Sequence, residues 1–168
     1  MSNKAILVVE NDVLSRTALV DLLVRNGFET VEAENGVAAL DLYRAGEFMA
    51  VITDLRMPKM SGLELLKKIR SRDADVPVIL VTAYGSVQTA VEAMKEGASD
   101  YVTKPFDAQE ILTVLSRQAN LQQLREENRS LRRQIGSQYG MTNIVGRSEG
   151  MRTVFEQETL DMIAEGRE

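Results

Sequence analysis

The chain has 168 residues, 44% hydrophobic and 27% charged, which suits one folded domain of ordinary size plus an appendage. A net charge of −5 argues against non-specific nucleic-acid binding as its main role. With no cysteine and no histidine, the chain can form neither disulfides nor thiolate or imidazole metal sites, and histidine-based nucleophilic catalysis is excluded.

The first hundred residues alternate short apolar runs with amphipathic segments. "AILVV" (5–9), "ETVEA" (29–33), "FMAVIT" (48–53), "VPVILVT" (76–82) and "DYVT" (100–103) have the length and β-branched content of strands. The first, third and fourth are nearly continuous apolar runs, as in strands buried on both faces of a parallel sheet. The second and fifth are more polar, as edge strands are. Between them run helical periods: Leu14, Ala18, Leu22 and Leu23, then Leu63, Leu66 and Ile69, then Val87, Ala90, Val91 and Met94, each expected to face the sheet. "NG" at 26–27 and 35–36 and "EG" at 96–97 supply the turns. The pattern is β-α five times over, an α/β fold whose doubly wound parallel sheet carries helices on both faces.

From Asp107 one helical pattern runs to Ile135. Leu121, Asn128 and Ile135 fall on heptad a positions and Leu124 and Leu131 on d positions, with Glu127 at g and Arg132 at the following e. This predicts a short dimeric coiled coil, with Asn128 fixing register and two-strandedness. A solvated helix carrying a chance repeat is the plainer alternative, since two heptads are marginal alone. After "IGSQYG" (135–140) a Gly- and Ser-containing linker is expected, and the remaining tail is too short for a core of its own. The chain is thus divided into a domain at 1–120, a linker helix at 107–135 and a poorly ordered 136–168. No run approaches the ~20 apolar residues that span a bilayer, and the N-terminus has no signal-peptide pattern, so the expected location is cytoplasmic, without membrane contact.

Ligands of an open parallel sheet bind beyond the carboxyl ends of its strands. There the sequence places Glu10, Asn11 and Asp12 after the first strand, Asp54 after the third, Thr82 ending the fourth and Lys104 after the fifth. Taken singly, Asp54 reads as a turn or cap residue, Lys104 as a surface lysine, Thr82 as a strand end and Asp12 as the N-cap of the next helix. Gathered on one rim, they suit a hard divalent cation such as Mg²⁺ and a nucleophilic Asp54 that accepts a phosphoryl group. Lys104 would supply positive charge and the Thr82 hydroxyl a hydrogen bond to the phosphoryl oxygens. Without histidine in this chain, a phosphohistidine donor must belong to another protein.

Residues 4–120 resemble the receiver domain of two-component response regulators, through "ILVVEND", "VITDLRMPKMSGLELL", "PVILVTAYG" and "AMKEGASDYVTKPF". The resemblance implies a flavodoxin-like (βα)5 sheet of order 2-1-3-4-5, with Asp54 as the phosphoacceptor. It further implies Mg²⁺ held with help from the Arg56 backbone carbonyl, Thr82 and Tyr101 as switch residues, a cis Lys104–Pro105 peptide, and a sensor histidine kinase as partner in trans. By itself, Tyr101 reads equally well as a half-buried edge-strand aromatic. Where the family has a second acid after the first strand, this chain has Asn11, an oxygen ligand without charge, and Asp12 could contribute through water. The expectation is retained but altered phosphorylation. The alternatives are a dimerisation module whose receiver no longer signals, and a flavodoxin-like cofactor binder, which would need a phosphate-cradling loop where "END" stands.

The segment "NIVGRSEGMRTVFE" (143–156) resembles the opening of the AAA+ domain of NtrC-type, sigma-54-dependent activators. The phosphate-binding loop G-x-x-x-x-G-K-[ST] is missing, so ATP hydrolysis is not expected of this chain. Contact with DNA and sigma-54 RNA polymerase is expected only through domains outside it. The overall expectation is a non-enzymatic, homodimeric regulatory receiver.

Overall fold

The computed structural model describes the backbone of residues 3–146 and side chains through residue 138. Five strands and five helices alternate: β1 (Ala5–Val9), α1 (Val13–Arg25), β2 (Thr30–Ala33), α2 (Gly36–Leu42), β3 (Phe48–Asp54), α3 (Gly62–Arg72), β4 (Val78–Thr82), α4 (Val87–Lys95), β5 (Asp100–Thr103) and α5 (Ala108–Gly146). All five expected strands form, and the parallel sheet has the expected order β2-β1-β3-β4-β5.

Strand alternation explains the two-sided core. Leu7, Val9, Val51, Val78 and Leu80 point to the face covered by Leu65, Leu66 and Ile69 of α3 and Ala93 of α4. Ile6, Val8, Ile52, Ile79 and Val81 point to the other face, against Leu19 and Leu23 of α1 and Ile111 and Leu115 of α5. Successive side chains of a strand point to opposite faces, so a strand feeding both layers must be apolar throughout. The helices start where side chains satisfy their free N–H groups: Asp12, Asn35 and Ser61 cap α1, α2 and α3, and Ser86 with Thr89 forms a capping box on α4.

Two helix faces differ from the periodic expectation. In α1, Leu19 and Leu23 are buried, whereas Leu14 is 81% exposed, Ala18 is exposed and Leu22 is half-buried. Apolar residues surround this helix, so period alone does not choose its inner side. In α4, the expected core stripe of Val87, Val91 and Met94 faces outward, while Ala93 is buried and Ala90 half-buried. A small residue lets the helix come close to the sheet, and the larger ones are left outside. The α3 face is as expected, with Leu66 and Ile69 buried and Leu63 packed against the core.

Helix α5 runs past the expected end at Ile135, through Gly136, to Gly146. Gly136 and Gly140 both lie inside it, and each interior glycine costs a helix about 1 kcal/mol relative to alanine. The contacts divide the chain into two compact units, Met1–Gln122 and Gln123–Glu168. The anticipated seam residues Leu121, Leu124, Leu131 and Ile135 are all exposed, as is Asn128. Most of the segment resembling an AAA+ opening lies outside the described residues. Among the described residues, no helix is long and apolar enough to cross a membrane.

Candidate functional site

Because β1, β3, β4 and β5 are successive neighbours in the sheet, the residues at their carboxyl ends meet on one rim. Asp54 is the last residue of β3 and is half-buried. Leu55 N–H donates to its Oδ1 at 2.8 Å, and Arg56 N–H also bonds the carboxylate. The loop beyond is pinned by Gly62 N–H donating to Leu55 O at 2.8 Å. No larger residue fits at position 62, where a Cβ would lie 2.1 Å from the Asp54 carbonyl oxygen.

Glu10 is only 5% exposed, and both of its carboxylate oxygens are engaged. Oε1 accepts from Asp12 N–H at 3.0 Å and Oε2 from Lys104 Nζ at 2.6 Å. Arg16 donates to the Glu10 carbonyl at 2.7 Å and pairs with Glu32 at 3.4 Å, tying the β1–α1 loop to β2. Burial holds the Asp54 carboxyl above the usual carboxylate range. The Glu10 charge adds to that rise, while Lys104 and the two backbone N–H groups oppose it. Lys104 thus pairs with Glu10 and also offsets the Asp54 charge, on a rim where the two carboxylates would otherwise repel each other.

The remaining anticipated residues have different settings. Asn11 is exposed beside this cluster. Asp12 is exposed and bonds Ser15 N–H at 2.8 Å as the helix cap. That bond to Ser15 is the main reason its carboxyl lies below the usual range. Thr82 is fully buried, and its hydroxyl accepts from Tyr84 N–H at 3.2 Å. Tyr101 is half-buried, with its hydroxyl 3.1 Å from Thr89 Oγ1 of α4. Gly85 makes room for this ring and for Thr103: a Cβ there would lie 2.7 Å from Thr103 Cγ2 and 3.1 Å from the Tyr101 hydroxyl. The Lys104–Pro105 peptide is cis.

Beside the rim, a groove of about 350 Å³ opens onto Asp54 and Lys104, walled by Ser15, Ala18 and Leu22 of α1 and by Phe106. Two of these α1 residues, Ala18 and Leu22, are ones that the periodicity assigns to the core. Sequence reasoning also missed Arg16, Thr89 and the side chains of Arg56 and Tyr84, whose guanidinium and ring meet at 4.3 Å. No spacing rule marks such contacts between separate elements. Among the described residues, no three acidic side chains converge as a ready metal cluster.

Residues 6–116 match the response regulator receiver domain. The regulatory protein AtoC of Escherichia coli is 40% identical over 146 residues, which cover 87% of this chain and 32% of AtoC. The chemotaxis protein CheY of Bacillus subtilis is 37% identical over 116 residues, covering 68% of this chain and 97% of CheY. The crystal structure of NtrX from Brucella abortus superposes with a TM-score of 0.71 at 31% identity, over 76% of this chain and 30% of that one. The chain thus spans about a third of the length of AtoC. A match over most of the folded unit, together with acid, hydroxyl and lysine on one strand-end rim, places this chain in the response regulator receiver family.

Proposed function

We propose that this receiver takes a phosphoryl group onto Asp54 from a phosphohistidine of a sensor kinase, and that the modified domain switches the arrangement of a homodimer. The observation that carries this reading is the half-buried Asp54 carboxylate, placed with a buried Glu10 that is itself paired to Lys104 at 2.6 Å. An Asp54 oxygen attacks phosphorus, forming the new P–O bond. The P–N bond of the donor breaks, its electron pair passes to the imidazole nitrogen, and that nitrogen takes a proton from water. Lys104 offsets negative charge on the phosphoryl oxygens, and the Thr82 hydroxyl, which can both accept and donate, turns its proton to one of them.

The donors on the rim suit Mg²⁺. They are all oxygens: the carboxylates of Glu10 and Asp54, the Asn11 amide and the Arg56 carbonyl, with Asp12 in reach through water. Burial and, after it, the Glu10 charge push the Asp54 carboxyl up, and a dication would favour its ionised form against both. When bound, Mg²⁺ supplies the charge neutralisation that lets an anionic nucleophile meet an anionic phosphoryl group. A phosphate-bearing cofactor in the flavodoxin manner is disfavoured, because the rim offers carboxylates where such a cofactor needs N–H donors.

Once Thr82 has moved, Tyr101 turns inward and leaves its bond to Thr89. A shift of a few kcal/mol between two states suffices to invert their populations. Two copies pair through Leu121, Leu124, Asn128, Leu131 and Ile135. The output onto DNA and sigma-54 polymerase belongs to domains of a longer protein, and the protein works in the cytoplasm. Acetyl phosphate with Mg²⁺ followed by intact-mass measurement tests the chemistry. One added phosphoryl group is expected, lost in Asp54→Asn; no adduct, or one that survives that substitution, refutes it. For the pairing, Leu124→Asp is expected to reduce the sedimentation mass to that of a monomer, and an unchanged mass refutes the seam.

A further inference from the structure

Tyr84 holds two groups that border Asp54. Its backbone N–H donates to Thr82 Oγ1 at 3.2 Å, and its ring, 62% exposed, receives the Arg56 guanidinium at 4.3 Å from the centroid. Arg56 lies two residues beyond Asp54, and its own N–H is already bonded to that carboxylate. Its backbone therefore borders the place where a phosphoryl group would stand, while its guanidinium is turned onto Tyr84. A guanidinium offers five donors in a planar fork suited to phosphoryl oxygens. In this structure that fork rests instead on an aromatic face.

We propose that Arg56 is a phosphoryl-binding side chain held in reserve on Tyr84, and that it leaves the ring for the phosphoryl oxygens once Asp54 carries them. The inference rests on the phosphorylation reading above and adds a residue to it. The energetic order favours the exchange. An exposed cation–π contact is weak, whereas a guanidinium–phosphoryl bond is charge-assisted on both sides. The Tyr84 ring thereby acts on anion binding only through Arg56. Its backbone bond to Thr82 gives the loop a reason to move at the same moment, since the hydroxyl and the guanidinium are both drawn toward the new oxygens.

The test uses beryllofluoride as a stable phosphoryl stand-in, titrated at fixed Mg²⁺ into the full 168-residue chain. The Thr82 and Gly85 amide signals report occupancy, and the Arg56 Nε–Hε signal reports the guanidinium. Binding to the unsubstituted protein tests the phosphorylation reading; the variants test this inference. Arg56→Ala, which keeps the backbone carbonyl, is expected to weaken binding about tenfold. Tyr84→Ala frees the guanidinium and is expected to tighten binding about threefold. The double substitution should bind like Arg56→Ala alone, and the Nε–Hε signal should shift on saturation. Both side chains are exposed, so amide spectra outside the two loops should stay superimposable. Wild-type affinity in Arg56→Ala, or tightening by Tyr84→Ala when Arg56 is already absent, overturns the proposal.

Discussion

Placing a carboxylate at position 11 probes the electrostatics of the rim directly. Glu10 is buried and already neutralised by Lys104 at 2.6 Å, so its charge is only partly available to a cation. Asn11 is exposed and brings none. In Asn11→Asp the added charge would lie in a solvated setting, where two unit charges 4 Å apart interact by about 1 kcal/mol. A divalent cation doubles that to about 2 kcal/mol, and screening at physiological salt reduces it. At about 1.4 kcal/mol per decade, the expected gain in Mg²⁺ affinity is about tenfold to thirtyfold. Calorimetric Mg²⁺ titrations of both proteins at low and physiological salt measure it. The gain should shrink as salt rises, because the new carboxylate is exposed. In the metal-free state the same substitution should lower stability slightly, since it adds an acid beside Glu10 and Asp54. Affinities within a factor of two, or a gain indifferent to salt, refute the reasoning.

Three further outcomes follow from the same geometry. The native Asp54 carboxyl titrates above its unfolded value, so its contribution to stability is present at low pH and lost as pH rises through the native value. Asp54→Asn should therefore raise the melting temperature at pH 7, with the advantage fading toward about pH 4, where the unfolded carboxyl takes its proton; a lower melting temperature at pH 7 contradicts this. Lys104→Met leaves the buried Glu10 unpaired and should cost about 2 kcal/mol in urea unfolding, most of it recovered in Lys104→Met/Glu10→Gln, where neither charge remains. Gly62→Ala drives a methyl group into the Asp54 carbonyl. It should lower stability by about 3 kcal/mol and displace the Asp54 and Leu55 amide signals, and a neutral result there would mean that the loop yields freely.

Much of the fold was legible because strand burial leaves a strong trace in sequence. Runs such as "AILVV" and "VPVILVT" have no polar alternation, and only a sheet covered on both sides accepts that. Asp54, Glu10, Thr82 and Lys104 were legible as a group because parallel strands end on one rim. Their pairing was not: that Lys104 reaches Glu10 rather than standing free depends on a contact between residues 94 positions apart. The inner faces of α1 and α4 differ from the periodic expectation for related reasons. Leu14 and Val87 are as apolar as Leu19 and Ala93, and hydrophobicity alone does not say which side meets the sheet.

The sequence by itself determined the alternation of elements, the parallel sheet and the residues able to carry phosphoryl chemistry, because these follow from local periodicity and from which side chains terminate each strand. The tertiary structure decided the distances: the Lys104 pair with Glu10, the Thr89 hold on Tyr101 and the Arg56 guanidinium on Tyr84. Such contacts join separate elements, and the Thr89–Tyr101 contact depends on how closely α4 packs on the sheet. At α4 that spacing is set by the small side chain of Ala93, which is buried while Val87 faces outward. A one-dimensional pattern carries the identity of those residues but not the separation they impose.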